Sequence, residues 1–255
     1  MRPIRLALIA LALSAAPANA APAGRQPANV AAAAAAKTRS AENMKLDESR
    51  KPAQLLRFLG LRRGDQVLDV FGGNKYWAEI IAPAIGPTGH VTVWQPTQFL
   101  TDERRKDFAA FAANQKNVSL ISSPFEAPDL PRSAFDFALI NLDYHDVYWE
   151  SSERKIPRME PQAWLKRLYA AMKPGSTVGV VDHVAAPGGD TRAVVDKLHR
   201  IDPAVVRRDF QRAGFVLAGT SAMYRNQADD HSLLVFDDKI RGKTDRFVFK
   251  FRKPR

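Results

Sequence analysis

The chain of 255 residues contains no cysteine. Disulfides, thiolate nucleophiles, cysteine zinc sites and a lipoprotein anchor are therefore excluded. It also lacks any histidine–acid spacing that resembles a metal-ligand motif such as H-E-x-x-H, so no metal is expected. Long apolar runs are absent too. The one candidate, "IRLALIALAL" at residues 4–13, is too short to cross a bilayer comfortably. No twin arginine precedes it.

What stands at the start has the form of an export signal. Arg2 and Arg5 make a basic opening, the apolar stretch follows, and Ala18-Asn19-Ala20 has the small-x-small form of a cleavage site. Residues 1–20 are expected to be a signal peptide of general secretory type, residues 21–43 an Ala/Pro-rich disordered spacer, and residues 44–255 the folded domain. No transmembrane segment is expected after signal removal, and the protein is expected in the periplasm or secreted. The formal charge is +11, and removal of two arginines leaves 36 − 27 = +9. A basic balance favours anionic partners, although a solvated surface explains it equally well.

From residue 45 strand and helix patterns alternate. "PAQLLRFLG" reads as a helix that Gly60 ends, "QVLDVF" as a buried strand, and "YWAEIIAPAIG" as a helix with one apolar face. "HVTVWQ", "VSLISS", "FDFALINL" and "STVGVVDH" read as further strands. "RFVFKFRK" places Phe247, Phe249 and Phe251 on one side of a last strand. This order predicts a Rossmann-like α/β fold: a doubly wound, mostly parallel, seven-stranded sheet with helices on both faces. Ligands in such folds bind beyond the carboxyl ends of the strands, so the loops there hold the candidate residues.

After the first strand come Asp69, Gly72, Gly73, Asn74 and Lys75. Glycines let a backbone approach a ligand, and a helix N-terminus offers free N–H groups; a plain tight turn is the competing reading. Gln95 follows the second strand, where a carboxylate commonly holds ribose hydroxyls. A glutamine there can still hydrogen-bond a diol, as a neutral partner. Glu126, after the third strand, is placed to meet an adenine amine or to be a solvated acid. "NLDYHDVYW" crowds Asp143, Tyr144, His145 and Asp146 at the end of the fourth strand. A histidine among carboxylates can act as a general base, bind metal, or pack as a hydrogen-bonded core residue. Asp182 and His183 end the fifth strand, and His199, Arg200 and Asp202 follow in "LHRID".

The order of elements resembles class I S-adenosylmethionine-dependent methyltransferases through "VLDVFGGNKYWAEIIAPAIGPTGHV", "MKPGS" and "RAGF". More narrowly, "KLDESRKPAQLLRFLGLRRGDQVLDVF", "YHDVYW", "VVDH", "LHRID" and "RGKTDRFVFKFRKP" resemble a family of predicted exported bacterial methyltransferases. The resemblance spans about residues 44–254. It implies S-adenosylmethionine as cofactor, with the Asp69–Lys75 loop beneath its methionine part, Gln95 by the ribose, and Asp143 with its neighbours near the transferred methyl. Relatives look more like "GGGY" where this chain has "GGNKY". Asparagine tolerates positive φ, so Asn74 is expected to preserve the turn, while Lys75 either pairs with the cofactor's carboxylate or fills the pocket.

The expected function is methyl transfer to a small-molecule or envelope substrate, with His145 as base and Asp143 and Tyr144 positioning the substrate. Two other readings stay open. One is a non-catalytic ligand-binding module with a degenerate cofactor pocket; the other is a polyanion-binding protein using the basic C-terminus. Nucleic acid is not an expected partner, and oligomeric state is not readable from the sequence.

If residues 1–20 are a cleaved signal, intact mass of protein from a periplasmic fraction will show a chain beginning at Ala21. A chain retaining Met1 and found in the cytoplasm contradicts it.

Overall fold

A computed structural model describes residues 25–255; the proposed signal peptide lies outside the described residues. The helices are α1 (Val30–Ala34), α2 (Ala41–Met44), α3 (Asp47–Arg50), α4 (Pro52–Leu59), α5 (Tyr76–Ile85), α6 (Asp102–Asn114), α7 (Pro161–Ala171), α8 (Thr191–Leu198) and α9 (Pro203–Arg212). The strands are β1 (Gln66–Val70), β2 (His90–Trp94), β3 (Val118–Ile121), β4 (Phe135–Asn141), β5 (Met172–His183), β6 (Val216–Ser221) and β7 (Arg246–Arg252). They form one seven-stranded sheet in the order β3-β2-β1-β4-β5-β7-β6. β1 to β5 pair in parallel, while β7 inserts antiparallel between β5 and β6.

The central strands are apolar on both sides because helices cover both faces. On one face Leu55, Leu56 and Leu59 of α4 join Ile80, Ile81 and Ile85 of α5 over Val67, Val91 and Leu139. On the other, Trp164, Leu165 and Leu168 of α7 and Phe210 of α9 pack over Leu68, Ala138 and Val180. α4 ends at Gly60, which is left-handed at φ 83°. The phenylalanine alternation of β7 is core: Phe251 stacks on Phe210 with ring centroids 4.4 Å apart.

The spacer expectation is corrected from residue 25 onward. Val30 and Ala33, three apart on α1, are buried against α5. The N–H groups of Ala28 and Asn29 donate to Leu61 O and Ala84 O. Arg39 is buried and binds Asp47 through two hydrogen bonds, of 2.6 and 2.8 Å. Small alanine side chains permit a close backbone approach, so a composition typical of linkers here covers a helix.

The connection from β6 to β7, residues 222–245, contains no regular helix or strand. It is anchored by Arg200, wholly buried, whose Nη1 and Nη2 donate to the two oxygens of Asp229 at 2.9 and 3.0 Å. Breaking such a pair leaves an uncompensated buried charge. Asp229→Ala is therefore expected to cost about 3–5 kcal/mol in urea denaturation. Glu150→Ala, at the exposed Arg158–Glu150 pair, is expected to cost about 0.5 kcal/mol or less. Equal small losses would show that Asp229 does not anchor the connection.

Candidate active site

β1, β4 and β5 end side by side, and their following loops converge. After β1, Phe71 at φ 61° leads into a 3-10 turn at Gly72–Asn74, and Lys75 at φ 65° opens α5. After β4, Leu142 stands at φ 68°. Three non-glycine residues in the left-handed region around one site are a recognised form of strain at functional positions. The turn does survive without further glycines, but Lys75 carries the positive φ that was expected of Asn74. Asn74 instead caps α5, its Oδ1 accepting from Tyr76 N–H at 3.2 Å.

Gly72 and Gly73 are required sterically. A Cβ on Gly72 would lie 2.1 Å from Asp69 Oδ2, and one on Gly73 would lie 2.4 Å from Gln95 Oε1. Gln95 Oε1 accepts from Gly73 N–H at 2.9 Å, which ties the β2 end to the loop. The Gln95 amide nitrogen makes no hydrogen bond among the described residues. Asp69 is buried, and its Oδ2 has no partner among the described residues. Burial pushes its pKa up to about 7, with Arg50 opposing.

A cavity of about 440 Å³ opens above this loop, lined in part by Gly73, Lys75, Gln95, Phe99, Asp143 and Asp146. A smaller cavity of about 110 Å³ continues beneath it to Asp69, Arg50 and Asp143. A third, of about 540 Å³, is lined by Phe99, Asp143, His145, Asp146, Trp149, His199 and Phe236 among others. The first and third share Phe99, Asp143 and Asp146, and Asp143 borders all three.

Lys75 ion-pairs with Asp107 of α6, at the cavity wall. Asp107 is more than half exposed, and exposed pairs hold weakly, so the ammonium is free to exchange partners. Glu126 is not in the lining: it is exposed, and its Oε2 accepts from Gln98 Nε2 at 2.9 Å. The adenine contact expected of it has no support in this placement.

His145 is buried between carboxylates. Its Nδ1 donates to Asp182 Oδ1 at 2.8 Å, its backbone N–H donates to Asp182 Oδ2 at 2.8 Å, and its Nε2 lies 3.4 Å from Asp146 Oδ1. Burial disfavours the imidazolium, but Asp182 and Asp146 outweigh it and raise the pKa to about 9. At neutral pH the ring is charged and has no lone pair with which to take a proton. Both ring nitrogens face carboxylates, an arrangement that favours electrostatic positioning over the general-base role expected of His145. Asp182 is held below the usual carboxylate range: burial would raise it, and His145 overrides that. Burial pushes His183 down to about 3, so it is neutral, and its Nδ1 shares a 2.7 Å hydrogen bond with Thr244 Oγ1. Among the described residues, no group of three or more metal-ligating side chains is arranged to hold an ion.

Asp143 makes no side-chain hydrogen bond among the described residues. Burial and then Asp146 push its pKa well up, with the charge of His145 opposing. Tyr144 turns the other way, a correction to its expected substrate role. It is fully buried, edge-on to Trp164, with its O–H donated to Asp209 Oδ2 at 3.0 Å. The apolar pattern that orients a strand residue stops at the strand end, and the 3-10 turn at His145–Tyr148 re-aims the chain. Asp182, Phe99, Asp107 and the 235–236 segment are the participants that sequence reasoning did not assign roles; Asp182 alone carried a signal, as an acid ending a strand beside β4.

This strand order, with one antiparallel strand inserted before the last, and this acid–glycine loop are decisive. The chain has the class I methyltransferase fold. An S-adenosylmethionine-dependent methyltransferase from Aquifex aeolicus superposes with a TM-score of 0.57 at 19% identity, over 83% of this chain and 97% of that one. The [4+2]-cyclase SpnF superposes with a TM-score of 0.55 at 15% identity, over 91% and 87%. Demethylmenaquinone methyltransferase from Listeria monocytogenes is 26% identical over 129 residues, 51% of this chain. The chain spans about half the length of the curated relatives it matches. No family model matches the sequence.

Tyr144→Phe is expected to lower stability by about 1 kcal/mol, the worth of one buried hydrogen bond, because Tyr148 O–H still reaches Asp209. Ligand affinity should not change. A loss of affinity at unchanged stability would place Tyr144 in the site.

Proposed function

We propose that this protein is an S-adenosylmethionine-dependent methyltransferase, acting on a small-molecule or envelope acceptor in the periplasm or outside the cell. The observation that carries the reading is Asp143, which borders the cofactor-side cavity and the acceptor-side cavity at once. The residues present fit the cofactor. A buried Asp69 oxygen below the loop has no partner among the described residues and can face a cationic group. Lys75 offers a cation for a carboxylate, and the free Gln95 amide nitrogen offers a donor for a ribose oxygen. When bound, S-adenosylmethionine supplies a methyl group on a positively charged sulfur.

The chain's own residues supply alignment, charge and a proton acceptor. Asp143, ionised, is a stronger base than an ordinary carboxylate, because its raised pKa lies nearer the working pH. His145 keeps the surrounding carboxylates from neutralising one another. Phe99, Trp149, Val235 and Phe236 give the acceptor-side cavity apolar walls, which favour a planar or partly apolar acceptor and exclude water. The fold also carries a cyclase, so binding and transfer require separate tests.

Asp143→Asn should retain cofactor binding and lower transfer of labelled methyl by about 10²–10⁴-fold, the usual worth of a positioned base. The rate should rise with pH through the Asp143 ionisation. His145→Gln removes a positive charge that lowers the Asp143 pKa, so the rising limb should move to higher pH. An unmoved limb, or an active Asp143→Asn, overturns the assignment.

Lys75→Gly is expected to weaken S-adenosylmethionine binding about tenfold to a hundredfold in calorimetry, through loss of a charge-assisted hydrogen bond. Thermal stability should hold or rise, because glycine adopts φ 65° without strain. Tighter binding by the variant would mean that Lys75 occludes the pocket.

A further inference from the structure

Two basic segments far apart in sequence, 45–51 and 241–246, meet at the start of β7, beside the His183 end of β5. With the 223–226 loop they enclose a cavity of about 570 Å³. It shares no lining residue with the three cavities around Asp143. Lys45, Lys51, Arg225, Arg241, Lys243 and Arg246 line it, against the single acid Glu48. Arg225 is paired with Asp245 at 3.3 Å. The other five have no carboxylate within 4.0 Å among the described residues.

Exposed cations alone would be a solvated face. Arg246 is different, because it is only 6% exposed. Its Nη2 donates to Gly242 O at 3.1 Å, its Nε donates to Thr244 O at 3.4 Å, and its guanidinium lies 4.9 Å from the Tyr224 ring centre. Its Nη1 makes no hydrogen bond among the described residues. Neighbouring Asp245 does not neutralise it; that carboxylate accepts from Asn226 N–H and lies against Arg225 and His231. Burying a guanidinium without a counter-charge is costly, and its pKa is lowered by burial and by the like charge of Arg50. The Tyr224 ring face offsets part of that cost, but its O–H is committed to Arg50 O and no carboxylate completes the pairing. A buried guanidinium with Nη1 still free, flanked by Lys45 and Lys243, matches a tetrahedral dianion with several acceptor oxygens better than a single carboxylate. The volume exceeds that of a bare phosphate and falls within the range of small-molecule sites.

We propose that this cavity binds the phosphate group of a phosphorylated ligand, carried either by a soluble molecule or by a phospholipid headgroup.

Calorimetric titration with sodium pyrophosphate tests the soluble source. Co-sedimentation with phosphatidic acid vesicles, whose headgroup is a phosphomonoester, against phosphatidylcholine vesicles, tests the lipid source. The full chain should bind in at least one arm. Lys45→Ser/Lys243→Ser should weaken that binding about tenfold or more. Lys166→Ser/Arg167→Ser, which removes the same charge from exposed positions on α7, should leave it within about twofold. Arg246→Lys keeps the charge but loses the fork, and should weaken binding about fivefold or more while circular dichroism shows a folded chain. Binding in neither arm overturns the proposal. So does equal weakening by the two double variants, or unchanged affinity in a folded Arg246→Lys, since either reduces the effect to diffuse net charge.

Discussion

The site depends on the buried contact between His145 and Asp182. Asp182 ends β5, one strand over from β4, and takes both the ring and the backbone N–H of His145. That double grip holds the loop after β4 against the sheet. It places Asp143 and Asp146 between two cavities while Tyr144, the residue in between, is driven into the core. Electrostatically, one imidazolium stands among three carboxylates in a region of little water. Without it, Asp143, Asp146 and Asp182 would compete to stay protonated. With it, Asp182 stays ionised and Asp143 remains a titratable base instead of an inert neutral acid.

Conformational strain marks the same place. Phe71, Lys75 and Leu142 all hold left-handed backbone around the three adjoining cavities. Phe71 and Leu142 are held by hydrogen bonds across strand ends, Phe71 N–H to Trp94 O and Leu142 N–H to Val181 O, and Lys75 by the turn bond from its N–H to Gly72 O. The 222–245 connection closes the opposite side. It has no regular structure to fix it, and relies on the Arg200–Asp229 pair and on Val235 N–H donated to Leu198 O. Val235 and Phe236 reach the acceptor-side cavity from it. A rigid sheet edge thus carries the polar groups, and an irregular segment supplies the apolar wall.

Much of this was legible from the residue order. The strand–helix alternation and the β7 phenylalanines follow from period and burial, and the loop residues fall at strand ends as a parallel sheet requires. The cluster at 143–146 was visible as crowded titratable groups. What was not legible is direction and charge state. Nothing local to Tyr144 and His145 says which faces the core; Asp209, on α9, and Asp182, on β5, decide it. Nor does local sequence reveal that Asp182, 37 residues on, joins Asp146 against the His145 ring and favours its charged form. Lys75 reads as an intruder in a glycine loop, but Asp107, 32 residues on, provides its partner. The alanine run reads as a linker because its packing partner, α5, is contributed from far along the chain.

The central claim is that His145 is a cation whose charge tunes the carboxylates between the two cavities. Nitrogen-15 NMR of the histidine rings, followed over pH, tests it most directly. The account predicts that the His145 ring remains doubly protonated through neutral pH, titrates near 9, and responds when S-adenosylmethionine is added. A His145 ring that is neutral at pH 7, or one that does not respond to the cofactor, would contradict it.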